Sequence, residues 1–141
     1  MSEGYRDLKN KSIFVTGIDT GIGKTVASAI IKEALKADYW KPVQCGDLDN
    51  TDTLKVKSLS SSKGQFFEER FSLEHPLSPH QAAAKEGVNI ELSDFTLPQT
   101  TNWLVVEGAG GVLVPLNKED TILDLIEKLK TPAIIVTKNY L

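Results

Sequence analysis

The segment "GIDTGIGKT" (17–25) contains residue types that together could bind a phosphate group. Gly21 and Gly23 allow backbone N–H groups to turn inward and surround an anion. Lys24 can reach the β- and γ-phosphates of a nucleotide, and the hydroxyl of Thr25 can hold Mg²⁺. These residues predict a nucleotide phosphate site at this point of the chain.

In the usual phosphate-loop pattern, four residues separate the first glycine from Gly-Lys-Ser/Thr, but in this loop the first glycine stands one position earlier. Here five residues separate Gly17 from Gly23. The loop follows a β-branched and aromatic run at 12–17, which predicts a buried strand, and it opens a helix predicted from Gly23 to Ala37. A phosphate loop requires this strand–loop–helix context, and the helix dipole adds positive potential at the anion. We therefore interpret the segment as a variant phosphate loop.

The rest of the chain alternates between short apolar segments and helical patterns. We predict strands at 39–43, 103–107 and 132–137, of which the last is buried. Three further helices are predicted: one capped by Thr51 or Asp52, one at 79–87 and one at 120–130. Irregular chain is predicted at 66–80 and 92–101. In the first helix the apolar residues recur at the spacing typical of a core-facing stripe: Val26, Ala27, Ile30, Ile31 and Leu35. Strands joined by helical crossovers pair in parallel, so we predict one α/β domain over 1–141, with a mostly parallel sheet and flanking helices.

Four residues lie at or just after the carboxyl ends of predicted strands: Gly17, Lys41, Glu107 and Asn139. In open parallel sheets, ligands bind along this edge. Glu107 ends a hydrophobic strand, where an unpaired carboxylate would be costly and a bound cation would relieve the cost. The sequence therefore predicts that these residues converge on one site.

Composition and charge exclude several classes of protein. The 141 residues are 40% apolar and 25% charged, as in an ordinary globular protein, and the net charge of −3 provides no basic surface for nucleic acid or anionic membrane. The single cysteine, Cys45, excludes an internal disulfide, and no apolar run approaches the ~20 residues that span a bilayer. The polar first twelve residues do not form a signal peptide pattern, so we expect a cytoplasmic protein.

Four segments, taken in order, form a specific set. They are "TGIDTGIGKTVAS" (16–28), "KPVQCG" (41–46), "PLSPHQAAAKEG" (76–87) and "VVEGAGGVLVPL" (105–116). This set resembles the dethiobiotin synthetase family of the P-loop NTPase superfamily, whose loop has five residues between the first glycine and Gly-Lys-Thr. The resemblance keeps the family's order and spacing and covers most of the chain from Ser12 onward.

The resemblance implies an enzyme that uses ATP and Mg²⁺ to carboxylate 7,8-diaminononanoate and close its ureido ring, a step of biotin biosynthesis. One amine captures CO₂ as a carbamate, the carbamate oxygen takes the γ-phosphoryl group, and the second amine displaces phosphate from the resulting carbamic–phosphoric anhydride. A homodimer with the diamine at the subunit interface is also implied. Family members continue well beyond the position of Leu141, so we expect the chain to lack their C-terminal part, to bind nucleotide weakly and to turn over poorly alone.

The resemblance also assigns roles to individual residues. Lys24 and Lys41 would be catalytic, the first covering the phosphates and the second orienting the carbamate. The nucleotide would contact Gly21, Ile22, Gly23, Lys24, Thr25, Val26, Asp52, Glu107, Gly108, Ala109 and Gly110. The substrate would contact Thr20, Lys41, Cys45, Gly110, Gly111 and Asn139. The ligands of Mg²⁺ would be Thr25, Asp52 and Glu107.

Some of these residues keep a second interpretation. Asp52 could be a helix N-cap, with Asp47 and Asp49 as neighbouring acids that compete for the metal role. Cys45 stands where the family often has a small hydroxyl residue, and it could equally be a buried structural thiol. We interpret the Ser-Pro-His segment (78–80) as a pocket wall and helix cap.

Two other functions remain open. A related P-loop ligase would share the nucleotide site without the second lysine motif. A nucleotide-dependent switch ATPase of the partition type would carry a second lysine early in the loop, where this chain has Asp19.

Overall fold

The computed structural model describes residues 11–61 and 63–139. Its elements, in chain order, are β1 (Ser12–Gly17), α1 (Lys24–Leu35), β2 (Asp38–Trp40), β3 (Val43–Cys45), α2 (Asp52–Leu59), β4 (Phe66–Phe67), β5 (Phe71–Leu73), α3 (Pro79–Glu86), β6 (Leu104–Glu107), α4 (Ile122–Leu129) and β7 (Ala133–Val136), with 3-10 turns at Leu48–Asn50 and Leu92–Asp94. The four predicted helices are present, with ends close to those expected from their patterns. Within the described ranges, no helix is long and apolar enough to cross a lipid bilayer.

The main sheet of the described chain has the strand order β4-β2-β6-β1-β7, and each of its strand pairs is parallel. The predicted α/β class, with a mostly parallel sheet and flanking helices, is therefore confirmed. Strands β3 and β5 form a second, smaller parallel pair. Because all strands of the main sheet run the same way, their carboxyl ends share one edge. The organisation as one domain over 1–141 stays a prediction.

The main sheet is covered on both faces, as parallel sheets usually are. Successive residues of β1 point to opposite faces: Phe14 joins a cluster that includes α4, and Val15 joins a cluster that includes α1 and α2. Val106 and Val105 of β6 divide between the same two clusters. The central strands are thus fixed from both sides, which holds their carboxyl ends rigidly.

The prediction of one strand at 39–43 is wrong. Lys41 and Pro42 interrupt it, so that β2 ends at Trp40 in the main sheet and β3 begins at Val43 in the smaller one. Pro42 cannot donate to a ladder, but its carbonyl oxygen accepts from the backbone N–H groups of Arg70 and Phe71, at 2.9 and 3.0 Å. These bonds lie at the start of β5. The prediction of irregular chain at 66–80 is therefore also wrong, because β4 and β5 lie within that segment.

The buried face of α1 differs from the predicted one. Val26 and Ile30 are 55% and 64% exposed, whereas Lys24, Ser28 and Lys32 are buried. The buried residues are spaced by four and form one helix face. The phosphate loop fixes the first turn with Lys24 facing inward, so Val26 and Ile30 point outward. The other predicted residues of the stripe are partly buried against the core: Ala27, Ile31 and Leu35.

The strand β7 is also more exposed than predicted. Ile134 and Ile135 are 40% and 55% exposed, although β7 pairs in parallel with β1 along its whole length. The strand itself is confirmed at Ala133–Val136, but the expectation that it is buried is wrong. Neighbouring residues of a strand face opposite sides of a sheet, so both faces are open here.

We expect Asp38→Ala to lower the free energy of unfolding by about 3 kcal/mol, because buried donors would lose their acceptor. The Asp38 carboxylate is fully buried and accepts from the Gln65 backbone N–H at 2.7 Å and from the Thr100 hydroxyl at 2.5 Å. Urea denaturation measures the change. The exposed Asp49→Ala is the control and should stay within ~0.5 kcal/mol of the parent. Equal losses of unfolding free energy in the two variants would contradict the role of Asp38 as the acceptor of these buried hydrogen bonds.

Candidate active site at the carboxyl edge of the sheet

The phosphate loop connects β1 to α1 at the carboxyl edge. Gly23 has φ 107°, a conformation that residues with a side chain rarely adopt, and its carbonyl oxygen accepts the Ala27 N–H at 2.9 Å. The Lys24 Nζ folds back and donates to the carbonyl oxygen of Asp19 at 2.7 Å. Burial, and then the neighbouring ammonium of Lys41, lower the pKa of Lys24. The loop therefore places a buried lysine at the start of α1, close to the second lysine of the site.

Lys41 follows β2 directly and lies at the centre of the site. Its Nζ donates to Asp52 Oδ2 at 2.5 Å, to Glu107 Oε2 at 3.3 Å and to the Gly108 carbonyl oxygen at 3.1 Å. Its side chain is only 4% exposed. Burial alone would lower the pKa of Lys41, but the carboxylates of Glu107 and Asp52 outweigh it and raise that pKa. The group stays an ammonium at neutral pH.

Asp52 is the acid of its segment that reaches Lys41. It is the first residue of α2, while Thr51 is the N-cap and accepts from the Leu54 N–H at 3.2 Å, so capping does not occupy the Asp52 carboxylate. Burial would raise the pKa of Asp52, but Lys41 outweighs this and lowers it. Of the two competing acids, Asp47 pairs with Lys55 at 3.1 Å and Asp49 is exposed.

Glu107 ends β6 with its side chain fully buried. Its Oε1 accepts from the Ser28 hydroxyl at 3.1 Å, and its Oε2 accepts from the Tyr39 hydroxyl at 2.9 Å and from Lys41. These charge-assisted hydrogen bonds offset the cost of burying a carboxylate. The residue that the sequence placed at a strand end is therefore held through both of its carboxylate oxygens.

A cavity of ≈ 330 Å³ adjoins Lys41. It is lined by Thr20, Lys41, Gln44, Cys45, Asp52, Pro76, Leu77, Ser78, Pro79, Ala109, Gly110 and Val114. Four predicted substrate contacts are thus brought together: Thr20, Lys41, Cys45 and Gly110. The lining does not include Gly111, which is buried, or Asn139, which is exposed after β7. A larger hollow of ≈ 700 Å³ beside α3 contains none of the predicted site residues.

Ser78 and Pro79 of the Ser-Pro-His segment form part of one wall of this cavity, as predicted for the segment. Ser78 stands at the N-cap position of α3, but its hydroxyl bonds His80 Nδ1 at 2.9 Å and does not cap the backbone. His80 lines the larger hollow instead of the smaller one. The segment therefore supplies the N-cap residue of α3, as predicted, but without a hydrogen bond from the Ser78 side chain to the backbone of the helix.

The donor set at this edge suits a hard divalent cation. Asp52 and Glu107 contact the same ammonium nitrogen, so their oxygens already share one cation. Among the described residues, no cluster of three or more histidine, cysteine and acidic side chains could hold a metal ion. Mg²⁺ fits a site with one or two carboxylates when a hydroxyl, phosphate oxygens and water complete its octahedron. Thr25 lies half-buried in the first turn of α1, on the same sheet edge.

Comparison with known proteins supplies the family. A family model described as "AAA domain" matches residues 11–141. The chain belongs to this family. The chain is 52% identical to the ATP-dependent dethiobiotin synthetase BioD of Christiangramia forsetii, over 93% of this chain and 63% of that protein. Proteins of the same name in Cytophaga hutchinsonii and Paramagnetospirillum magneticum are 47% and 43% identical, each over 93% of this chain.

These relatives confirm the resemblance to dethiobiotin synthetases. The chain spans about 63% of the length of the curated relatives that it matches. The chain is thus shown to belong to the AAA-domain family, while the role of each site residue stays a prediction.

Three residues of the site were not predicted from the sequence. Ser28, Tyr39 and Gln44 are buried, and Gln44 accepts the Asp52 backbone N–H through its Oε1 at 3.2 Å. Two of them had a signal in their spacing. Ser28 is one helical turn after Lys24, and Tyr39 is two strand positions before Lys41, so each shares a face with a predicted site residue.

We expect Gly46→Ala to destabilise the protein by about 3 kcal/mol. Gly46 has φ 70°, and a Cβ added there would lie 2.6 Å from the Cβ of Pro76 in the cavity wall. Gly87→Ala is a matched control, because Gly87 has φ 66° with nothing within 4 Å of an added Cβ. Its expected cost is only about 1 kcal/mol. Thermal unfolding of both variants checks this, and equal costs would show that the close contact is unimportant.

We expect Cys45 to react slowly with iodoacetamide while the protein is folded. Burial raises the pKa of its thiol from 9.0 to about 11, although Lys41 opposes the shift. Two pKa units lower the thiolate fraction near pH 8 about 100-fold, and the thiolate is the reactive form. Cys45 is the single cysteine, so alkylation followed by mass spectrometry reports on it alone, with urea-unfolded protein as reference. Equal rates in both states would contradict a half-buried thiol with a raised pKa.

Proposed function

We propose that this protein catalyses the ATP- and Mg²⁺-dependent carboxylation and ring closure of 7,8-diaminononanoate to dethiobiotin. The observation that carries the proposal is the position of Lys41. Its ammonium lies on the wall of the ≈ 330 Å³ cavity and contacts the Gly108 carbonyl oxygen of the glycine-rich third motif. It is also near enough to Lys24 to lower the pKa of that lysine. The names of the relatives support the same reaction.

The two lysines suit a reaction whose intermediates are all anionic. Lys24 covers the β- and γ-phosphates, with the backbone of Gly21–Val26 around them. Lys41 neutralises the carbamate and orients it toward the γ-phosphorus. Both ammonium groups are buried, so water does not weaken their interaction with developing charge.

Group transfer in this site balances without a redox partner. One amine of the substrate adds to CO₂ and loses a proton, which gives the carbamate. A carbamate oxygen attacks the γ-phosphorus and ADP leaves, which gives the carbamic–phosphoric anhydride. The second amine attacks the carbonyl carbon, loses a proton and displaces phosphate, which closes the ureido ring. The Asp52 and Glu107 carboxylates hold Lys41 by ion pairs at the point where these charges develop.

Thr25, Asp52 and Glu107 would hold Mg²⁺. When bound with the nucleotide, the ion supplies positive charge to the phosphate oxygens. The buried carboxylate of Glu107 and the half-buried one of Asp52 are the oxygen donors that this ion prefers.

The cavity supports a short aliphatic diamine as substrate. Leu77 and Val114 provide apolar walls, while Thr20, Cys45 and Gly110 lie beside Lys41. Gly111 and Asn139 are outside this lining, and we propose that Asn139 contributes to the site of a second subunit in a homodimer. We also propose that the protein acts in the cytoplasm.

Fixation of labelled bicarbonate tests the proposal. The protein is used in excess over ¹⁴C-bicarbonate, with ATP, Mg²⁺ and 7,8-diaminononanoate, so that slow turnover still leaves measurable product. Label is expected in dethiobiotin, and it should be absent with Lys24→Ala. ATP hydrolysis that continues without fixation of label would contradict the proposal and favour the switch ATPase.

A further inference from the structure

Two buried hydroxyls hold the carboxylate of Glu107, one on each oxygen. The Ser28 hydroxyl donates to Oε1 at 3.1 Å, and the Tyr39 hydroxyl donates to Oε2 at 2.9 Å. Both residues are fully buried, and neither lines the cavity beside Lys41. They can therefore influence the reaction through Glu107, without touching the substrate.

The two hydroxyls come from different elements. Ser28 lies on α1, which follows the phosphate loop, and Tyr39 lies in β2, which pairs directly with β6 in register Tyr39↔Val105. One hydrogen bond would leave the carboxylate free to turn about its last torsion. Bonds to both oxygens from two separately anchored elements fix its plane.

Neutral donors have an advantage over cations at this position. A carboxylate has about four acceptor sites, and the hydroxyls occupy two of them without cancelling its charge. The negative charge of Glu107 thus stays available to a cation while its orientation is fixed.

We propose that Ser28 and Tyr39 are positioning residues that orient the Glu107 carboxylate for the divalent cation bound with the nucleotide. The proposal rests on the proposed function, in which Glu107 is a ligand of Mg²⁺. Outer-shell partners of metal ligands typically change metal affinity 10- to 100-fold when they are removed.

The test measures metal-dependent nucleotide binding without turnover. Calorimetry gives the dissociation constant of the β,γ-imido analogue of ATP in EDTA and in saturating Mg²⁺. The ratio of the dissociation constant in EDTA to that in Mg²⁺ reports the contribution of the metal to binding. We expect Tyr39→Phe and Ser28→Ala each to lower this ratio about tenfold, with the constant in EDTA unchanged within twofold. Tyr39→Phe removes only the hydroxyl and keeps the packed ring.

Two further variants make the result specific. Ser12→Ala removes another buried hydroxyl, at the opposite end of β1, whose Oγ has no hydrogen-bond partner among the described residues. It should leave the ratio unchanged. In the Glu107→Gln background, Tyr39→Phe should have little additional effect, because residues that act through one another are not additive.

The outcomes separate this proposal from the function on which it rests. An unchanged ratio in Glu107→Gln would contradict the metal role of Glu107, and the positioning proposal with it. A lower ratio in Glu107→Gln but parental ratios in both Tyr39→Phe and Ser28→Ala would overturn the positioning proposal alone. Weakened binding in EDTA to the same degree as in Mg²⁺ would identify a merely structural role and would also overturn it.

Discussion

Lys41→Met is expected to reduce formation of carboxylated product at least ~100-fold, because the cation aimed at the carbamate is lost. The same change should lower the free energy of unfolding by about 3 kcal/mol. Methionine fills similar space but leaves the buried Glu107 and the half-buried Asp52 facing each other without the ammonium they now share. Product formation is measured with ¹⁴C-bicarbonate at a temperature where circular dichroism shows the variant folded, and stability is measured by urea denaturation.

The control for this variant is Lys118→Met. Lys118 is exposed and lines the larger hollow, away from the proposed chemistry. It should keep the parental rate, and its stability should stay within ~0.5 kcal/mol of the parent. Product formation within threefold of the parent in folded Lys41→Met would contradict the role of Lys41.

Lys24→Ala is expected to weaken nucleotide binding about 100-fold, which corresponds to about 2.7 kcal/mol. Lys24 is only 7% exposed, and its ammonium is the cation that the loop presents to phosphate. Alanine also removes the bond to the Asp19 carbonyl oxygen that braces the loop. Fluorescence anisotropy of a labelled ATP analogue measures the dissociation constant directly.

Lys128→Ala is the matched control, because Lys128 is exposed on α4. It should bind the analogue as the parent does. A Lys24→Ala protein that still binds the analogue within threefold of the parent would mean that the loop does not hold the phosphates through this residue.

The convergence of the site could be predicted from sequence because it follows from chain direction alone. Lys41 and Glu107 are 66 positions apart, yet Lys41 directly follows β2 and Glu107 ends β6 of the same parallel sheet, and parallel strands end at one edge. The phosphate loop could be recognised for a different, local reason: its glycines, lysine and threonine lie within one short segment. Strong local patterns and a common strand direction were sufficient here.

The rotation of α1 could not be predicted from its apolar residues. Val26 and Ile30 follow the helical period but face outward, because the loop fixes the first turn with Lys24 inward. Ser28 then reaches Glu107, a contact across 79 positions that no local pattern contains. A site that orders the start of a helix can therefore override its hydrophobic period.

The break between β2 and β3 was missed for a different reason. "YWKPV" has the composition of one strand, but Lys41 leaves the main sheet to reach two carboxylates. Strand propensity describes the packing of side chains and contains no information about such a charge requirement. The interruption is therefore part of the site.

The most direct test of the central claim follows an oxygen atom from bicarbonate to phosphate. Bicarbonate fully labelled with ¹⁸O is supplied with ATP, Mg²⁺ and 7,8-diaminononanoate, and the released phosphate is analysed by mass spectrometry before the label exchanges with water. If a carbamate oxygen attacks the γ-phosphorus beside Lys41, each phosphate carries one ¹⁸O. Phosphate released at the same rate without ¹⁸O would show that water attacks ATP, and would contradict the ligase account.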